Sequence, residues 1–275
     1  MPFLKKDREE YLLLENDAKN FYSNFKTRHG HELQKYYLKL QSKLLPLRVA
    51  CSGGKVPVRG VSKQGNEENE GPDTTPDDVF SKFAFTSKFN VLIKELEKIR
   101  DDDATSKTLV FSQFSSTLKW LQDELPRHGF QYRTLTGDMT MKQRSRALHD
   151  FQHDPPTTVF LLSMRSGAVG INLTQANRVF LMEPSLNPAL EEQAIGRVHR
   201  LGQKRNVEII RLIMKDSIES RIRSVLIDKY GSKESDLPAN GLVGSLNHDK
   251  STVFADEYDF LFGISKEATA SSALL

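Results

Sequence analysis

Short apolar runs alternate with amphipathic stretches over the middle of the chain. Runs rich in β-branched and aromatic residues predict five strands, over residues 108–111, 130–135, 157–162, 178–182 and 207–213. Apolar positions three and four apart predict helices over residues 87–100, 115–127, 140–151 and 218–229, and another that begins at Pro188 and runs through Arg200. Unbroken apolar strands alternating with helices predict an α/β fold, in which a parallel sheet carries helices on both faces. A ligand is then expected at the carboxyl ends of the strands.

The flanking regions have a different character, and the pattern divides the chain into four parts. Residues 1–50 are expected to form a helical segment, with amphipathic helices over 5–26 and 31–50. Residues 51–80 are rich in Gly, Asn and Glu and predict a polar linker, and residues 81–230 hold the alternating strands and helices. Residues 231–275 predict a partly disordered tail, in which one apolar island, 254–264, docks back on the domain.

Composition narrows the function classes only slightly. Thirty-nine Lys and Arg residues against 36 Asp and Glu residues leave a formal charge of +3, so any basic surface for nucleic acid must be local. The single cysteine, Cys51, excludes an internal disulfide and a multi-cysteine zinc site and is typical of a reducing compartment. No apolar run is long enough to span a membrane, and the charged start does not resemble a signal peptide.

The most informative stretch runs from Glu191 to Lys204. On a helix, Gln193, Arg197 and Arg200 would share one face, and two adjacent guanidinium groups suit phosphate oxygens. A solvated helix face with incidental charge is the alternative. The longer stretch resembles motif VI of superfamily-two helicases, in the form used by SWI/SNF-like ATPases. The resemblance implies that Arg197 and Arg200 reach nucleotide phosphates and that Gln193 couples nucleotide binding to DNA binding.

Two further blocks follow the first two predicted strands of the sheet. The block from Val110 to Phe114 resembles helicase motif IV, which implies that Ser112 and Gln113 contact a phosphate or the neighbouring lobe, and we assign both to DNA binding. An ordinary strand end explains the block equally well. The block from Leu135 to Thr140, with Arg144, resembles the turn whose Gly137 opens a helix towards the DNA backbone. The alternative is a surface helix capped by Thr140.

The glycine-rich block from Ser163 to Thr174 follows the third predicted strand and resembles motif V. That resemblance implies DNA contacts from four residues: Ser163, Arg165, Ser166 and Gly167. Gly170 can adopt a positive φ and is assigned to the nucleotide side. The chain has Ala168 where the family usually has a second glycine, a small departure that bears on how closely the backbone approaches its ligand.

Taken together, these blocks resemble the C-terminal, second RecA-like lobe of a SWI/SNF-like helicase or ATPase. The stretch from Glu183 to Gly196 is similar to the RING-bearing DNA-repair branch, but residues 51–80 hold no RING. The resemblance implies a second motor lobe of a DNA translocase in chromatin remodelling or repair, in the nucleus, with duplex DNA and chromatin or repair proteins as partners. No G-x-x-x-x-G-K-[ST] occurs, so ATP and Mg²⁺ are expected to be shared with a first lobe, in cis or in trans.

Two other readings of the chain stay open. The first is an inactive DNA- or partner-binding module without turnover of its own. The second is an unrelated nucleotide-binding α/β enzyme, which is disfavoured because no G-x-G-x-x-G turn follows a predicted strand.

Overall fold

Seven strands lie within the part of the chain that the computed structural model describes, residues 1–58, 79–136, 139–164, 171–230 and 255–265. They are β1 (Gly54–Val58), β2 (Val79–Phe85), β3 (Thr108–Ser112), β4 (Gln131–Leu135), β5 (Thr157–Ser163), β6 (Arg178–Leu181) and β7 (Glu208–Arg211). The last five form one parallel sheet in the order β4-β5-β3-β6-β7. The five predicted strands are confirmed, with ends that differ by one or two residues.

Eight α-helices lie in the same described residues. They are α1 (Lys5–His29), α2 (Tyr37–Ser52), α3 (Ser87–Asp102), α4 (Ser115–Glu124), α5 (Met141–His153), α6 (Pro188–Ile195), α7 (Ile218–Tyr230) and α8 (Ala255–Leu261). Short 3₁₀-helices over Gly30–Tyr36 and Leu125–His128 precede α2 and follow α4. The second of these replaces the predicted end of α4, because Pro126 has no backbone N–H with which to continue the α-helical hydrogen bonds.

The parallel sheet separates two apolar cores, as its sequence pattern predicts. Successive strand residues point to opposite faces. In β3, Leu109 and Phe111 therefore enter one core, while Val110 enters the other. The first core is covered by α5, through Phe151, and by α6; the second is covered by α3 and by α4, through Leu121. The predicted α/β fold, with helices on both faces of a parallel sheet, is confirmed.

A third core joins the helices at the two ends of the chain. It collects buried side chains from α1, α2, α7 and α8. The rings of Tyr22 and Phe262 stack with centroids 4.3 Å apart, and the Tyr22 hydroxyl donates to Asp259 at 2.7 Å. The predicted docking of the apolar island 254–264 is confirmed by these contacts. Each large side chain buried here contributes about 1.5–3 kcal/mol of stability.

Two hydrogen-bonded caps attach α1 to the domain that contains the sheet. The buried carboxylate of Asp7 accepts the N–H groups of Thr86 and Ser87, at 2.9 and 2.7 Å, where α3 begins. The hydroxyl oxygen of Tyr11 accepts the N–H of Ile218 at 2.7 Å, where α7 begins. The first N–H groups of a helix have no partner within the helix. The helical segment therefore satisfies donors that belong to the sheet domain.

The predicted polar linker, 51–80, needs correction at both of its ends. Cys51 and Ser52 complete α2, and β1 pairs with β2 in an antiparallel hairpin. Gly54 has φ +88°, and a Cβ there would lie 3.2 Å from the side chain of Trp120 on α4. The close approach of the hairpin to α4 therefore requires glycine at this position. Residues 59–78, the centre of the predicted linker, lie outside the described residues.

Candidate functional site

The ends of β3 and β5 bring two of the predicted motifs together. Ser112 is the last residue of β3 and Ser163 the last of β5, and the two are partners in the parallel register. The chain that leaves β5 stays close to β3, because the N–H of Met164 donates to the carbonyl of Ser112 at 3.1 Å. The blocks that resemble motifs IV and V therefore start side by side on the carboxyl edge of the sheet.

Ser112, which was predicted to contact DNA, has its side chain turned inward. Ser112 is fully buried, and its hydroxyl donates to the carboxylate of Glu183 at 2.9 Å. Gln113 is half-buried and also turns inward. Its side-chain NH₂ group donates to the carbonyl of Pro184 at 3.2 Å, and its side-chain oxygen accepts a hydrogen bond from Arg48 at 3.1 Å. A polar side chain at the end of a buried strand forms hydrogen bonds inside the protein when a carboxylate lies within reach.

Glu183 is the acceptor that organises this part of the edge. Its carboxylate is buried and accepts hydrogen bonds from the Ser52 hydroxyl at 2.7 Å, from the Ser112 hydroxyl and from the backbone N–H of Gln113. Burial raises the pKa of Glu183, and the nearby ammonium group of Lys88 opposes that shift. The carboxylate thus joins the end of α2 to the ends of β3 and β6.

A buried ion pair lies beside this carboxylate. The Lys88 side chain is fully buried on α3, and its Nζ donates to Glu219 Oε1 at 2.6 Å and to the carbonyl oxygen of Met182. The other carboxylate oxygen of Glu219 accepts the N–H of Met214 at 2.9 Å. Sequence reasoning missed this pair. Its only signal was the position of Lys88, four residues before Leu92 on the apolar side of α3.

Arg144 takes part in the folding of the turn that it was predicted to accompany. Its guanidinium donates to the carbonyls of Thr136 at 3.2 Å and Met139 at 3.1 Å, on either side of the predicted phosphate turn. Thr140 and Gln143 form a reciprocal capping box where α5 begins, so the expected cap at Thr140 is confirmed. The guanidinium of Arg144 therefore links Thr136 to Met139.

The predicted helix from Pro188 through Arg200 ends early, and the shared face of Gln193, Arg197 and Arg200 is wrong. Helix α6 stops at Ile195. The N–H of Arg197 donates to a carbonyl only three residues back, at 3.2 Å, and the Arg197 carbonyl instead accepts the N–H of Leu173 at 3.2 Å. Gly196 is the C-cap of α6, and this tertiary hydrogen bond holds the chain that follows it. Gln193 stays on α6, exposed, while both arginines lie in the following loop.

The loop after α6 is braced from within by Gln203. Its side-chain N–H donates to the carbonyl of Ala176 at 2.8 Å, and its oxygen accepts the N–H of Arg205 at 2.8 Å. Gly202 has φ +102°, in the left-handed region that favours glycine, and Val198 is fully buried in the core under α6. Sequence reasoning missed Gln203, although a Gly-Gln pair directly after the two arginines was its signal.

The two arginines of this loop form a small region of positive potential. Arg197 is half-buried and Arg200 is exposed. Partial burial lowers the pKa of Arg197, and the positive charge of Arg200 lowers it further. A bound anion would relieve both effects. The loop is therefore chemically suited to phosphate oxygens, which planar guanidinium groups bind with two parallel hydrogen bonds.

The remaining predicted site residues belong to motif V and to the turn before α5. Ser163 is half-buried where β5 ends. The others lie outside the described residues: Gly137, Arg165, Ser166, Gly167 and Gly170. Leu173, among the described residues that follow, packs in the core beneath α6.

The described residues contain no group of three or more His, Cys, Asp or Glu side chains that could hold a metal ion. The acidic run that ends α3 has a structural use instead, because Asp103 pairs with Arg205 and accepts the N–H of Thr105 at 2.9 Å. Among the described helices, none combines the length and apolar character that a membrane span requires.

Comparison with known proteins shows which family and which relatives this part of the chain is similar to. The family model of the helicase conserved C-terminal domain matches residues 87–202. The DNA repair protein RAD5B of Arabidopsis thaliana is 44% identical over 148 residues, which are 54% of this chain and 12% of that protein. The helicase-like transcription factor of Mus musculus is 39% identical over 160 residues, 55% of this chain and 16% of that protein.

Among solved structures, the C-terminal part of the Fun30 ATPase domain is similar, with a TM-score of 0.52 and 32% sequence identity. The match covers 65% of this chain and 52% of that chain. The curated relatives are much longer proteins, and the aligned part of this chain spans only 12% and 16% of the length of the two named above.

Proposed function

This chain carries the helicase C-terminal domain of the SWI/SNF-like helicases, and from that premise we propose that it acts as the second motor lobe of a DNA-dependent ATPase that translocates on duplex DNA. In this proposal residues 81–230 are the lobe and residues 1–50 join it to a first lobe, on the same or on another polypeptide. The first lobe holds ATP and Mg²⁺, and this chain contributes arginines and contacts to the DNA backbone.

The observation that supports the proposal most is the braced loop after α6. It holds Arg197 and Arg200 close enough for one charge to lower the pKa of the other. Hydrogen bonds from Leu173 and Gln203 fix the loop before any ligand arrives. Donors that are held in place in advance need little reorganisation when charge develops on a phosphate, and this is the main source of electrostatic catalysis.

Arg197 and Arg200 are assigned to the oxygens of the nucleotide phosphates, where each guanidinium can donate two hydrogen bonds. Mg²⁺, when bound by the first lobe, would neutralise part of the phosphate charge. Gln193 is exposed on α6, one turn before the loop, and is assigned to the coupling of nucleotide and DNA binding. Gly170 is assigned to the nucleotide side on the resemblance alone.

The DNA-binding part of the proposal concerns the turns after β4 and β5. Arg144 holds the carbonyls of Thr136 and Met139, on either side of Gly137. The capping box occupies the N–H groups of Thr140 and Gln143, so the phosphate is assigned to the other N–H groups in the first turn of α5. Ser163 and the segment with Arg165, Ser166 and Gly167 are assigned to the backbone of one DNA strand. These contacts would be sensitive to salt and indifferent to base sequence.

The wider biological role is proposed from the names of the relatives. RAD5B is named as a DNA repair protein, and the mouse relative as a helicase-like transcription factor. We assign this chain to the nucleus, with chromatin or repair proteins as further partners.

The test is DNA-stimulated ATP hydrolysis by a mixture of this chain with a separately expressed first lobe from a SWI/SNF-like protein. Turnover is expected only in the mixture and only with duplex DNA. Arg197→Ala and Arg200→Ala should each lower it by about 10³-fold or more, the range known for arginine fingers. Arg127→Ala is the matched control, because Arg127 is exposed at the opposite, amino-terminal end of the strands.

Turnover by this chain alone would overturn the assignment of ATP to a separate first lobe. If the mixture is silent but the chain binds DNA, a DNA- or partner-binding module replaces the motor lobe. If Arg127→Ala is as damaging as Arg200→Ala, the assigned role of the loop is wrong.

A further inference from the structure

One part of the helical segment is far more basic than the rest of the protein. Residues 18–52, which we call the basic arm, contain seven Lys and Arg residues and a single acidic residue, Glu32. The whole chain is close to balance, with 39 basic and 36 acidic residues. The arm comprises the second half of α1, the 3₁₀-helix after it and α2. Its charge is the local basic surface that the overall composition conceals.

Most of these cations are engaged inside the protein. Four of the seven form ion pairs or a hydrogen bond with described side chains: Lys19, Lys26, Lys35 and Arg48. Arg28, Lys39 and Lys43 are left, and none of these three forms an ion pair with a side chain in the described residues. The first two are exposed and Lys43 is half-buried. The arm therefore presents positive charge that no carboxylate of the described part of the chain neutralises.

Lys39 and Lys43 are held in place by aromatic rings rather than by acids. Lys39 Nζ lies 5.6 Å from the ring centroid of Phe25, and Lys43 Nζ lies 4.7 Å from that of Phe21. The two rings stack on each other with centroids 5.5 Å apart. Both lysines and both rings are four residues apart, so one face of α2 lies along one face of α1. Ring contacts of this kind hold a cation without neutralising its charge.

The last residues of the arm lie at the edge of the sheet that carries the candidate site. Ser52 and Arg48, near the end of α2, contact Glu183 and Gln113 at the ends of β6 and β3. Lys43 and Lys39 precede Ser52 by nine and thirteen residues. At 1.5 Å per helical residue they stand about 13 and 20 Å from that contact. Along the axis of α2, both lysines therefore lie within about 20 Å of the carboxyl edge.

We propose that the basic arm is a second binding surface for the DNA backbone, with Lys39 and Lys43 on neighbouring phosphates of one strand. The inference rests on the proposed function and extends it to the helical segment. A repeating line of phosphates offers partners to two fixed, regularly spaced cations. The alternative occupant is an acidic protein surface, for which the exposed side chains of Tyr37, Leu38 and Leu45 on the same helix would supply an apolar contact. A salt slope and a thermal midpoint that both stay unchanged in the variant below would favour that occupant and overturn the proposal.

The experiment measures binding of the full chain to a short labelled duplex of mixed sequence, over salt concentrations from about 50 to 200 mM. Lys39→Gln/Lys43→Gln should lower the slope of log K against log salt by about 1.8, since each lost phosphate contact removes about 0.9. Lys94→Gln/Lys98→Gln is the matched control. These lysines are exposed and four residues apart on α3, but Glu95 and Glu97 accompany them. The control should leave the slope unchanged.

The possible outcomes distinguish these roles. A slope that falls only in the arm variant supports the proposal. An unchanged slope, with a lower thermal midpoint, would mean that the lysines only cover the rings, and it would overturn the proposal in favour of a structural role. A salt slope that is lower in Arg144→Ala but unchanged in the arm variant leaves the proposed motor lobe standing and overturns the arm. The reverse result supports the arm and counts against the proposed DNA contacts of the lobe.

Discussion

Lys88 is a charged residue among the buried apolar residues of α3. It lies on the apolar side of α3, where a hydrophobic side chain is the ordinary choice. The protein instead buries its ammonium group completely and pairs it with Glu219. Such a pair adds little net stability, because each ion gives up its hydration, but removing one partner leaves an uncompensated charge in the interior. The pair therefore determines the relative positions of α3, β6 and α7 and adds little to the stability of their packing.

We expect Lys88→Met to lower the free energy of unfolding by about 3–5 kcal/mol, because the buried carboxylate of Glu219 loses its counter-ion. Urea denaturation at neutral pH measures the change. Lys94→Met, at an exposed position of the same helix, should stay within about 0.5 kcal/mol of wild type. Adding Glu219→Gln to Lys88→Met should restore part of the loss. A single variant as stable as wild type would show that the ion pair is not formed.

At the scale of the element, the loop after α6 matters more than the helix itself. Helix α6 spans only Pro188–Ile195, with the Asn187 side chain as its cap. The arginines follow it in a segment that the core residue Val198 and the Gln203 side chain hold in place. Functional residues often stand on loops that a rigid scaffold holds in place, and this loop has that arrangement.

We expect Gln203→Leu to loosen this loop while leaving the lobe folded. The variant loses the hydrogen bonds to Ala176 and from Arg205, together worth about 1–2 kcal/mol. Local opening should therefore become about tenfold more frequent, and hydrogen exchange at the N–H groups of Leu173 and Arg205 should accelerate accordingly. Gln193→Leu, on the exposed side of α6, serves as the control. Equal hydrogen-exchange rates in Gln203→Leu and Gln193→Leu would show that the Gln203 side chain does not hold the loop.

At the scale of the whole molecule, the helical segment and the sheet domain share one interior. The core between α1, α2, α7 and α8 contains Tyr11 and Tyr258, both almost fully buried. Burial raises the pKa of Tyr258 to about 12 and that of Tyr11 well above its ordinary value. The folded protein thus keeps phenolic protons that the unfolded chain releases near pH 10.

This difference predicts the direction of alkaline denaturation. Between about pH 10 and about pH 12 the unfolded state binds fewer protons than the folded state, so stability falls as pH rises. The contribution of the two phenols is complete below about pH 10 and is lost as pH passes their raised pKa values. Tyr258→Phe should make the decline of the urea midpoint between about pH 9 and about pH 11 less steep. A decline of unchanged steepness would contradict the burial of Tyr258.

Most of the architecture could be predicted because its signals are local. The apolar runs that became β3 to β7 and the periodic stretches that became α3, α5 and α7 each carry their own period, so their order alone specified a parallel sheet covered on both faces. The motif residues could be placed at the carboxyl edge for the same reason. The end of α6 was missed although Gly196, directly after Ile195, was a local signal for it. The hydrogen bond from Leu173 to the Arg197 carbonyl, in contrast, joins distant parts of the chain and has no local signal.

By itself, then, the sequence determined which strands and helices form, their alternation, and the resemblance that identifies the lobe. Tertiary structure alone decided that Ser112 faces inward to Glu183, that Lys88 pairs with Glu219 across 131 residues, and that the arginines stand on a braced loop. The physical reason is distance along the chain. Periodicity and capping act over a few residues, whereas a buried charge or an orphan carbonyl is satisfied by whichever group the fold brings near.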